Sequence, residues 1–177
     1  MWAIMIESIA KMIGRFETIL FVSLVLSLTC VILVDSKTTK FKDCGSKESK
    51  VSSVDISPCS TSPCEIVSGK NSSIDVTFTE TAAADNLTAK AYGSIAGVKV
   101  PYPLPNPEAC KNSNLTCPLK TGTKYFYTAT LSVPKGLPKV DVVVELQLIA
   151  GDDKLVMCID FPVTVSPGNS KKEQMHP

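Results

Sequence analysis

The sequence predicts an all-β domain with an immunoglobulin-like architecture, in which two β-sheets pack as a sandwich. Three observations predict it: apolar and polar residues alternate along most of the chain after residue 37, turn signals separate these segments, and six cysteines are spread among them. Alternation with a period of two residues indicates strands with one buried and one solvated face, as in antiparallel sheets. Seven or eight short strands at this spacing are typical of a two-sheet sandwich.

An uncharged apolar run, Ile19–Val34, lies near the start of the chain, and the basic residues Lys11 and Arg15 precede it. A basic segment followed by a short apolar run is typical of a secretory signal peptide. The run is shorter than the roughly 20 residues that a helix needs to cross a bilayer. We therefore predict a signal peptide over residues 1–36, with cleavage after Ser36, and a protein that is secreted or reaches the lysosomal lumen. An uncleaved signal anchor is the alternative.

The body of the chain, residues 37–166, is predicted to form one domain, because about 130 residues suit a single core. Four segments alternate strongly and four more weakly. Strong strands are predicted over 73–79, 124–133, 140–148 and 155–165, and weaker strands over 39–44, 50–56, 63–67 and 86–95. Turn dipeptides such as Ser57-Pro58 and Lys135-Gly136 separate them. The polar tail, residues 167–177, is predicted to be flexible.

The segment from Val98 to Pro107 carries proline at every second position from residue 101 onward. Proline lacks a backbone donor, so this segment is not expected to form a central strand. We expect it to run extended and stiff, and to hold Tyr102 and Leu104 at a rim rather than in a hydrogen-bonded ladder. Composition does not decide whether the segment is a rigid crossover or the frame of a portal.

One cysteine, Cys30, lies in the predicted leader, and an even set of six remains in the domain. These are Cys44, Cys59, Cys64, Cys110, Cys117 and Cys158. Six cysteines allow about fifteen pairings, and spacing alone does not choose among them. The second and third, and the fourth and fifth, are close enough in sequence to form local loops, which would leave Cys44 and Cys158 to join the ends of the domain. A zinc site is disfavoured, because no histidine and no C-x-x-C pair accompanies these cysteines.

Charge and titratable residues argue against several classes of function. The chain has 18 basic and 17 acidic residues, and without the two basic and three acidic residues of the predicted leader its net charge is about +2. All remaining basic residues are lysine, so neither a strong positive field nor the arginine fork that grips phosphate is present, and we expect no nucleic-acid binding. The single histidine, His176, lies in the tail, and the paired acids Asp152 and Asp153 lie in a turn. We therefore predict no enzyme, no cofactor and no metal.

Three N-glycosylation sequons lie in the predicted domain and agree with the predicted secretory route. Asn71, Asn86 and Asn114 each precede a serine or threonine by two positions, in polar stretches that suit a surface loop or the start of a strand. We predict these three asparagines as acceptors of N-linked glycans.

Several segments of the domain form a specific combined pattern of cysteine and proline spacing. They are F-K-D-C-G at 41–45, V-D-I-S-P-C at 54–59, V-K-V-P-Y-P-L-P-N-P-E-A-C at 98–110, N-L-T-C-P at 114–118, Y-F-Y at 125–127, V-V-V-E-L-Q at 142–147, and Cys158. In this order they resemble the Niemann–Pick type C2 proteins of the MD-2-related lipid-recognition family, which also contains mite group 2 allergens. The resemblance covers nearly all of residues 39–165.

The resemblance implies disulfides Cys44–Cys158, Cys59–Cys64 and Cys110–Cys117. It also implies an apolar pocket between the sheets that holds a sterol, or another lipid, with its polar end near the mouth. Around that mouth it places Tyr102, Val133, Leu137 and Pro138, and deeper in the wall Phe78, Val100, Tyr127, Val142, Val144, Leu146 and Ile159. Mammalian members have phenylalanine, tyrosine and tryptophan where this chain has Tyr102, Leu137 and Leu146, so the pocket is expected to be roomier or different in shape.

The resulting expectation is a monomeric carrier that binds a sterol-like lipid, contacts membrane surfaces transiently, and passes its ligand between membranes or to a membrane sterol transporter. An alternative is an extracellular lipid-recognition protein for fatty acids, chemical signals or microbial lipids, acting through a receptor in innate immunity or chemical signalling. A sandwich filled by its own side chains, without a ligand, is the third possibility, and composition alone favours it over a cavity.

Overall fold

The computed structural model describes residues 39–168, and nine β-strands lie within them. The strands are β1 (Lys42–Asp43), β2 (Ser49–Ser57), β3 (Cys64–Val67), β4 (Asn71–Glu80), β5 (Leu87–Ile95), β6 (Val98–Tyr102), β7 (Lys124–Ser132), β8 (Val140–Ala150) and β9 (Leu155–Ser166). The predicted leader, residues 1–36, and residues 169–177 of the predicted tail lie outside the described residues. No helix between residues 39 and 168 is both long and apolar enough to span a membrane.

The strands form two sheets of unequal size. The larger sheet has the order β1-β9-β8-β5-β6, with β3 also pairing to β9, and the smaller sheet has the order β2-β4-β7. All pairings are antiparallel except that of β3 with β9. The all-β sandwich predicted from alternation is confirmed. The parallel pair was not expected, because alternation shows which face of a strand is buried but not the direction of its neighbour.

The inner faces of the two sheets form the hydrophobic core. On β4 the inward residues Ile74, Val76 and Phe78 are nearly or fully buried, and on β8 the inward residues Leu146 and Leu148 are fully buried. Their polar neighbours along each strand face outward, as the period of two predicts. The strongly patterned segments therefore became strands because only this arrangement buries their apolar side chains together.

The proline segment differs from its prediction. Val98–Tyr102 forms β6, and Tyr102 lies in the ladder opposite Ala91 rather than outside it. The strand lies at the edge of the larger sheet, so it pairs on one side only. Along an edge strand, the backbone N–H and C=O groups of alternate residues point to the neighbouring strand and to solvent. Pro101 is tolerated because its missing N–H would face solvent. The segment is thus excluded from the middle of the sheet, as predicted, but not from pairing.

The three disulfides join the cysteines in the pairing that the resemblance implied. Cys44 is bonded to Cys158, Cys59 to Cys64, and Cys110 to Cys117, with Cα–Cα distances of 5.1, 5.2 and 5.6 Å. The first bond ties the residue after β1 to the middle of β9, across 114 residues of sequence. The other two close short loops of the kind predicted from spacing.

The register of β4 defines the two ends of the sandwich. At its start Asn71 lies opposite Ser132 of β7, and at its end Glu80 lies opposite Ser49 of β2. We call the first end, which contains a cavity between the sheets, the mouth end, and the second the far end. The ends of β3, β5, β7 and β9 and the start of β8 lie at the mouth end.

Candidate functional site

An apolar cavity of about 160 Å³ lies between the two sheets at the mouth end. None of its lining residues carries a formal charge, and most are valine, isoleucine, leucine or proline. They are Ile66, Tyr92, Gly93, Ile95, Val100, Pro101, Tyr102, Leu131, Val133, Pro134, Leu137, Val142, Val144, Val163 and Val165. Such a lining offers dispersion contacts and burial to a ligand, with few polar groups to orient it.

Small residues on β5 help to leave this space. The inward positions of β5 change from Leu87 at the far end to Ala89, Ala91 and Gly93 towards the mouth. A Cβ atom added at Gly93 would lie 3.4 Å from Cγ1 of Val142 on the neighbouring strand β8. Glycine at this position therefore leaves room on the wall of the cavity that any other residue would begin to fill.

A hydrogen bond connects the two sheets at the mouth. The hydroxyl of Tyr102, on edge strand β6 of the larger sheet, donates to the backbone oxygen of Ser132, at the end of β7 in the smaller sheet, over 2.5 Å. Burial raises the pKa of the Tyr102 hydroxyl, so the group stays protonated and able to donate. The bond joins the edges of the two sheets at the mouth, which we call its lips.

Ser68, a buried residue just after β3, fixes the loop on the other side of the mouth. Its hydroxyl donates to the backbone oxygen of Pro134 over 2.9 Å and accepts from the backbone N–H of Leu137 over 3.1 Å. The next residue, Gly69, donates its N–H to the backbone oxygen of Val133 over 3.0 Å. These bonds place the side chains of Val133 and Leu137 at the cavity. Sequence reasoning missed Ser68, because a lone serine beside a turn glycine gives no signal of its burial.

Six of the predicted pocket residues line the cavity. They are Val100, Tyr102, Val133, Leu137, Val142 and Val144. Four others, Phe78, Tyr127, Leu146 and Ile159, lie deeper on the inner faces and are nearly or fully buried within the packed core. Pro138 lies instead beside a separate surface depression that also includes Leu137.

The residues that sequence reasoning missed fall into two groups. Leu131, Val163 and Val165 lie on inner faces that alternation had predicted, so only their depth was unknown. Ile66, Tyr92, Gly93, Ile95, Pro101 and Pro134 come from weakly patterned strands and turns. In these segments apolar and polar residues do not alternate clearly, so the sequence did not show which side chains point inward.

An exposed apolar tip lies beside the mouth. The hairpin between β5 and β6 carries Ile95, Val98 and Val100, and Val98 is 65% exposed. Ile95 and Val100 also line the cavity. Next to them Lys99 pairs with Glu145 over 2.7 Å and lies 4.4 Å from the centre of the Tyr92 ring. The rim of the cavity is therefore an apolar projection with a cation at its side.

Histidine and free thiols, the side chains that most often act as base and nucleophile, are absent from residues 39–168. The chain's one histidine lies outside residues 39–168, and all six cysteines within them are in disulfides. Asp152, one of the two paired acids in the turn, forms a surface ion pair with Lys154 over 2.8 Å. A Ser-His or Cys-His nucleophile pair is therefore not available among these residues.

The family of the chain follows from its match to known proteins. The model of the ML domain matches residues 38–165. The chain belongs to the ML-domain family. This finding confirms the family resemblance carried by the cysteine and proline motifs.

Other members of the ML-domain family are similar to this chain over most of its length. NPC intracellular cholesterol transporter 2 of Danio rerio is 40% identical over 126 residues, which cover 71% of this chain and 84% of that protein. The protein of the same name from Mus musculus is 34% identical over 142 residues, covering 80% and 95%. Mite group 2 allergen Tyr p 2 of Tyrophagus putrescentiae is 34% identical over 128 residues, covering 72% and 87%.

A solved structure shows the same fold. The crystal structure of a Niemann–Pick type C2 protein from the Japanese carpenter ant is 33% identical and superposes with a TM-score of 0.66, covering 72% of this chain and 99% of that one. The ML-domain sandwich, with the cavity at its mouth end, is therefore the frame in which a function has to be sought.

Proposed function

We propose that this protein is a lipid carrier that binds a sterol between its two sheets and releases it to membranes or to a membrane sterol transporter. The observation that carries the proposal is the apolar cavity bordered by Tyr102, Val133 and Leu137. Its relatives in Danio rerio and Mus musculus are named cholesterol transporters, which supports a sterol as the ligand class. The predicted leader supports a secreted or lysosomal location.

Binding requires the cavity to widen. Ligand pockets for molecules of this size commonly measure roughly 300–1,000 Å³, whereas the cavity measures about 160 Å³. The mouth lips would separate by breaking the bond between Tyr102 and Ser132. The ligand would then press inward against Phe78, Tyr127, Leu146 and Ile159, which we propose as the deep wall of the occupied pocket.

Apolar burial is the main favourable contribution to this rearrangement. Burying about 300 Å² of a sterol contributes roughly 7 kcal/mol at about 25 cal/mol per Å². Losses of rigid-body freedom and the separation of packed side chains oppose it. The lining without charges favours an apolar ligand over a charged one, because a charge buried there would find no partner.

The exposed tip supports transfer at a membrane surface. Val98 projects beside the mouth and, with Ile95 and Val100, offers apolar side chains to the lipid interface. Contact through this tip would bring the mouth against the membrane, so that a sterol can leave without crossing water.

A binding experiment tests the pocket. Purified protein is titrated with a fluorescent sterol, dehydroergosterol, and compared with Val133→Trp and with Val143→Trp. Val133 lines the cavity, whereas Val143 is exposed on the outer face of β8. We expect Val133→Trp to weaken binding at least tenfold and Val143→Trp to leave it unchanged. Saturable binding of equal affinity in all three proteins would refute a sterol site at this cavity.

A second measurement separates transfer from binding. Val98→Ser is expected to slow sterol transfer between vesicles several-fold while leaving the affinity in solution unchanged, because Val98 lies on the tip outside the cavity lining. Val143→Ser is the matched control. Equal transfer rates for both variants would remove the tip from the proposal. Titration with a fluorescent fatty acid in the same samples tests the alternative ligand class.

A further inference from the structure

A shallow depression lies on the outer face of the smaller sheet, away from the cavity. Phe126 on β7 lines it with a side chain that is 59% exposed, and Asn114 lies in the same depression. Nζ of Lys124 lies over this ring, 5.8 Å from its centre, and an exposed phenylalanine by itself is common. Here, however, the exposed ring shares one depression with the asparagine of a glycosylation sequon.

The side chain of Asn114 is held in place by a chain of hydrogen bonds. Its Nδ2 donates to Oγ1 of Thr128 over 3.0 Å, and that hydroxyl donates to Oδ1 of Asp75 over 2.7 Å. The loop itself is fixed to β7, because the backbone N–H of Thr128 donates to the backbone oxygen of Ser113 over 2.8 Å. Asn114 thus has a defined position next to Phe126, since residues 126 and 128 point to the same face of the strand.

We propose that Asn114 carries an N-linked glycan whose first sugars lie in this depression and cover the ring of Phe126. The proposal rests on the secretory route of the proposed function. The donor is a lipid-diphosphate-linked oligosaccharide: the Asn114 amide nitrogen forms a bond to the sugar C1, the bond between C1 and the phosphate oxygen breaks, the lipid diphosphate leaves with the electron pair, and the amide loses one proton. Nδ2 keeps its other proton and remains a donor to Thr128.

The chemistry of the depression suits a sugar. The C–H face of an N-acetylglucosamine packs on an aromatic ring, and its hydroxyl and amide groups need polar partners at the edge. Phe126 supplies the ring, while Asp75 and Thr77 supply polar edges. Covalent attachment in the same depression gives the sugar a high effective concentration at the ring, so even a weak contact is populated.

The other two sequon asparagines do not line this depression. Asn71 lies at the start of β4, and no aromatic residue lies opposite it in the ladder with β7. The side chain of Asn86 occupies the space beside Gly151 where a Cβ atom would stand. Glycans at these positions would extend into solvent, which makes them internal controls for the site at Asn114.

The test compares glycoforms of the full chain secreted from eukaryotic cells. Thr116→Ala removes the sequon while keeping Asn114, and Thr116 is exposed. Occupancy at each sequon is measured by glycopeptide mass spectrometry, and thermal unfolding is measured for the wild type, Thr116→Ala, Phe126→Thr and the double variant. We expect Asn114 to be occupied and Thr116→Ala to lower the unfolding midpoint by about 3 °C in the wild type. In the Phe126→Thr background the same change should cost less than about 1 °C, because the ring is gone.

Equal losses in both backgrounds, or an unoccupied Asn114 beside occupied Asn71 or Asn86, would overturn the proposal. Asn71→Gln serves as the control for loss of a glycan elsewhere and should show no coupling to Phe126. Secretion without any glycan would also overturn it. Sterol titration of Thr116→Ala keeps this result separate from the carrier function: affinity should be unchanged, because the depression lies outside the cavity lining.

Discussion

The mouth end and the far end of the sandwich are built from the same long strands, but they differ in how the interior is filled. At the mouth end Val142, Val144 and Val165 border open space. At the far end the larger side chains of Leu148 and Met157 are fully buried. Alternating apolar residues thus specify two facing layers, whereas side-chain size at each level decides whether the space between them closes.

The two ends also differ in their polar groups. The mouth is closed by a hydrogen bond from a neutral hydroxyl of Tyr102. The far end contains Glu80, which is fully buried and whose carboxylate oxygens have no hydrogen-bond partner. Burial raises the pKa of Glu80 to about 7; the nearby backbone N–H groups of Ala82 and Thr81 oppose this shift without forming a well-aligned hydrogen bond to the carboxylate, and the charge of Glu48 adds to it. The far end is therefore filled by side chains and sensitive to pH, whereas the mouth borders a cavity and is spanned by a hydrogen bond.

The largest expected effect is on packing at the far end. Leu148→Ala should lower the free energy of unfolding by about 3 kcal/mol, because it leaves a void among fully buried side chains. Leu137→Ala, at the half-buried mouth, should cost less than about 1 kcal/mol, because its neighbours already border a cavity. Urea denaturation measures both. Equal costs would mean that the two ends are packed alike.

The next effect is the pH dependence caused by Glu80. Its pKa is about 7 when folded, against an ordinary value near 4.5, so the folded state binds the proton more tightly. Below about pH 4.5 the Glu80 carboxyl is protonated in both the folded and the unfolded state, so it does not lower the stability of the fold. As the pH rises towards 7 the unfolded state loses this proton more readily than the folded state, and the free energy of unfolding should fall by roughly 2–3 kcal/mol.

Glu80→Gln isolates this contribution. Asp55 and Asp160, whose pKa values burial also raises, remain in both proteins, so the difference between the two stability profiles reports Glu80 alone. We expect the variant to lose less stability than the wild type between pH 4.5 and 7.5 in urea denaturation. Parallel profiles would show that Glu80 reaches water in solution.

A smaller effect is expected on ligand kinetics at the mouth. Tyr102→Phe removes the bond to Ser132, and the loss of about 1 kcal/mol should raise the rates of sterol entry and exit about fivefold with little change in affinity. Tyr125→Phe is the matched control, because its hydroxyl accepts from the backbone N–H of Lys120 near the far end, over 2.8 Å. Stopped-flow fluorescence measures the rates. Unchanged rates in Tyr102→Phe would mean that another contact limits opening.

The smallest effect concerns the wall of the cavity. Gly93→Ala adds a methyl group 3.4 Å from Val142 and reduces the freedom of the unfolded chain. We expect a gain of about 0.5 kcal/mol in stability, together with a loss of sterol affinity of a few-fold. Isothermal titration and urea denaturation on the same sample check both signs. A gain in affinity would show that the occupied pocket is wider at this position.

The sequence predicted the faces of the strands better than their depth. The positions of Val142 and Leu146 on one face of β8 followed from alternation, yet only the first lines the cavity. Depth depends on register with neighbouring strands, which alternation does not contain. Glu80 continues the inward series of Ile74, Val76 and Phe78, so the alternation alone would predict its burial. A glutamate at the end of a strand is, however, usually expected to turn towards solvent.

The strand β6 was hidden by its prolines. Its residues pair with β5 on one side only, and a donor lost at Pro101 is not missed there. The hydrogen bond from Tyr102 could not be predicted either, because it depends on the distance between the edges of two different sheets. Such contacts arise from tertiary structure and leave no local trace.

The same prolines have a consequence for association between molecules. Any exposed sheet edge offers a row of donors and acceptors on which a neighbouring chain can build, and this is a common start of aggregation. At β6 that row is interrupted at Pro101 and cannot resume at Pro103, which follows directly after the strand. The edge that frames the mouth is thus a poor template for adding a strand from another copy.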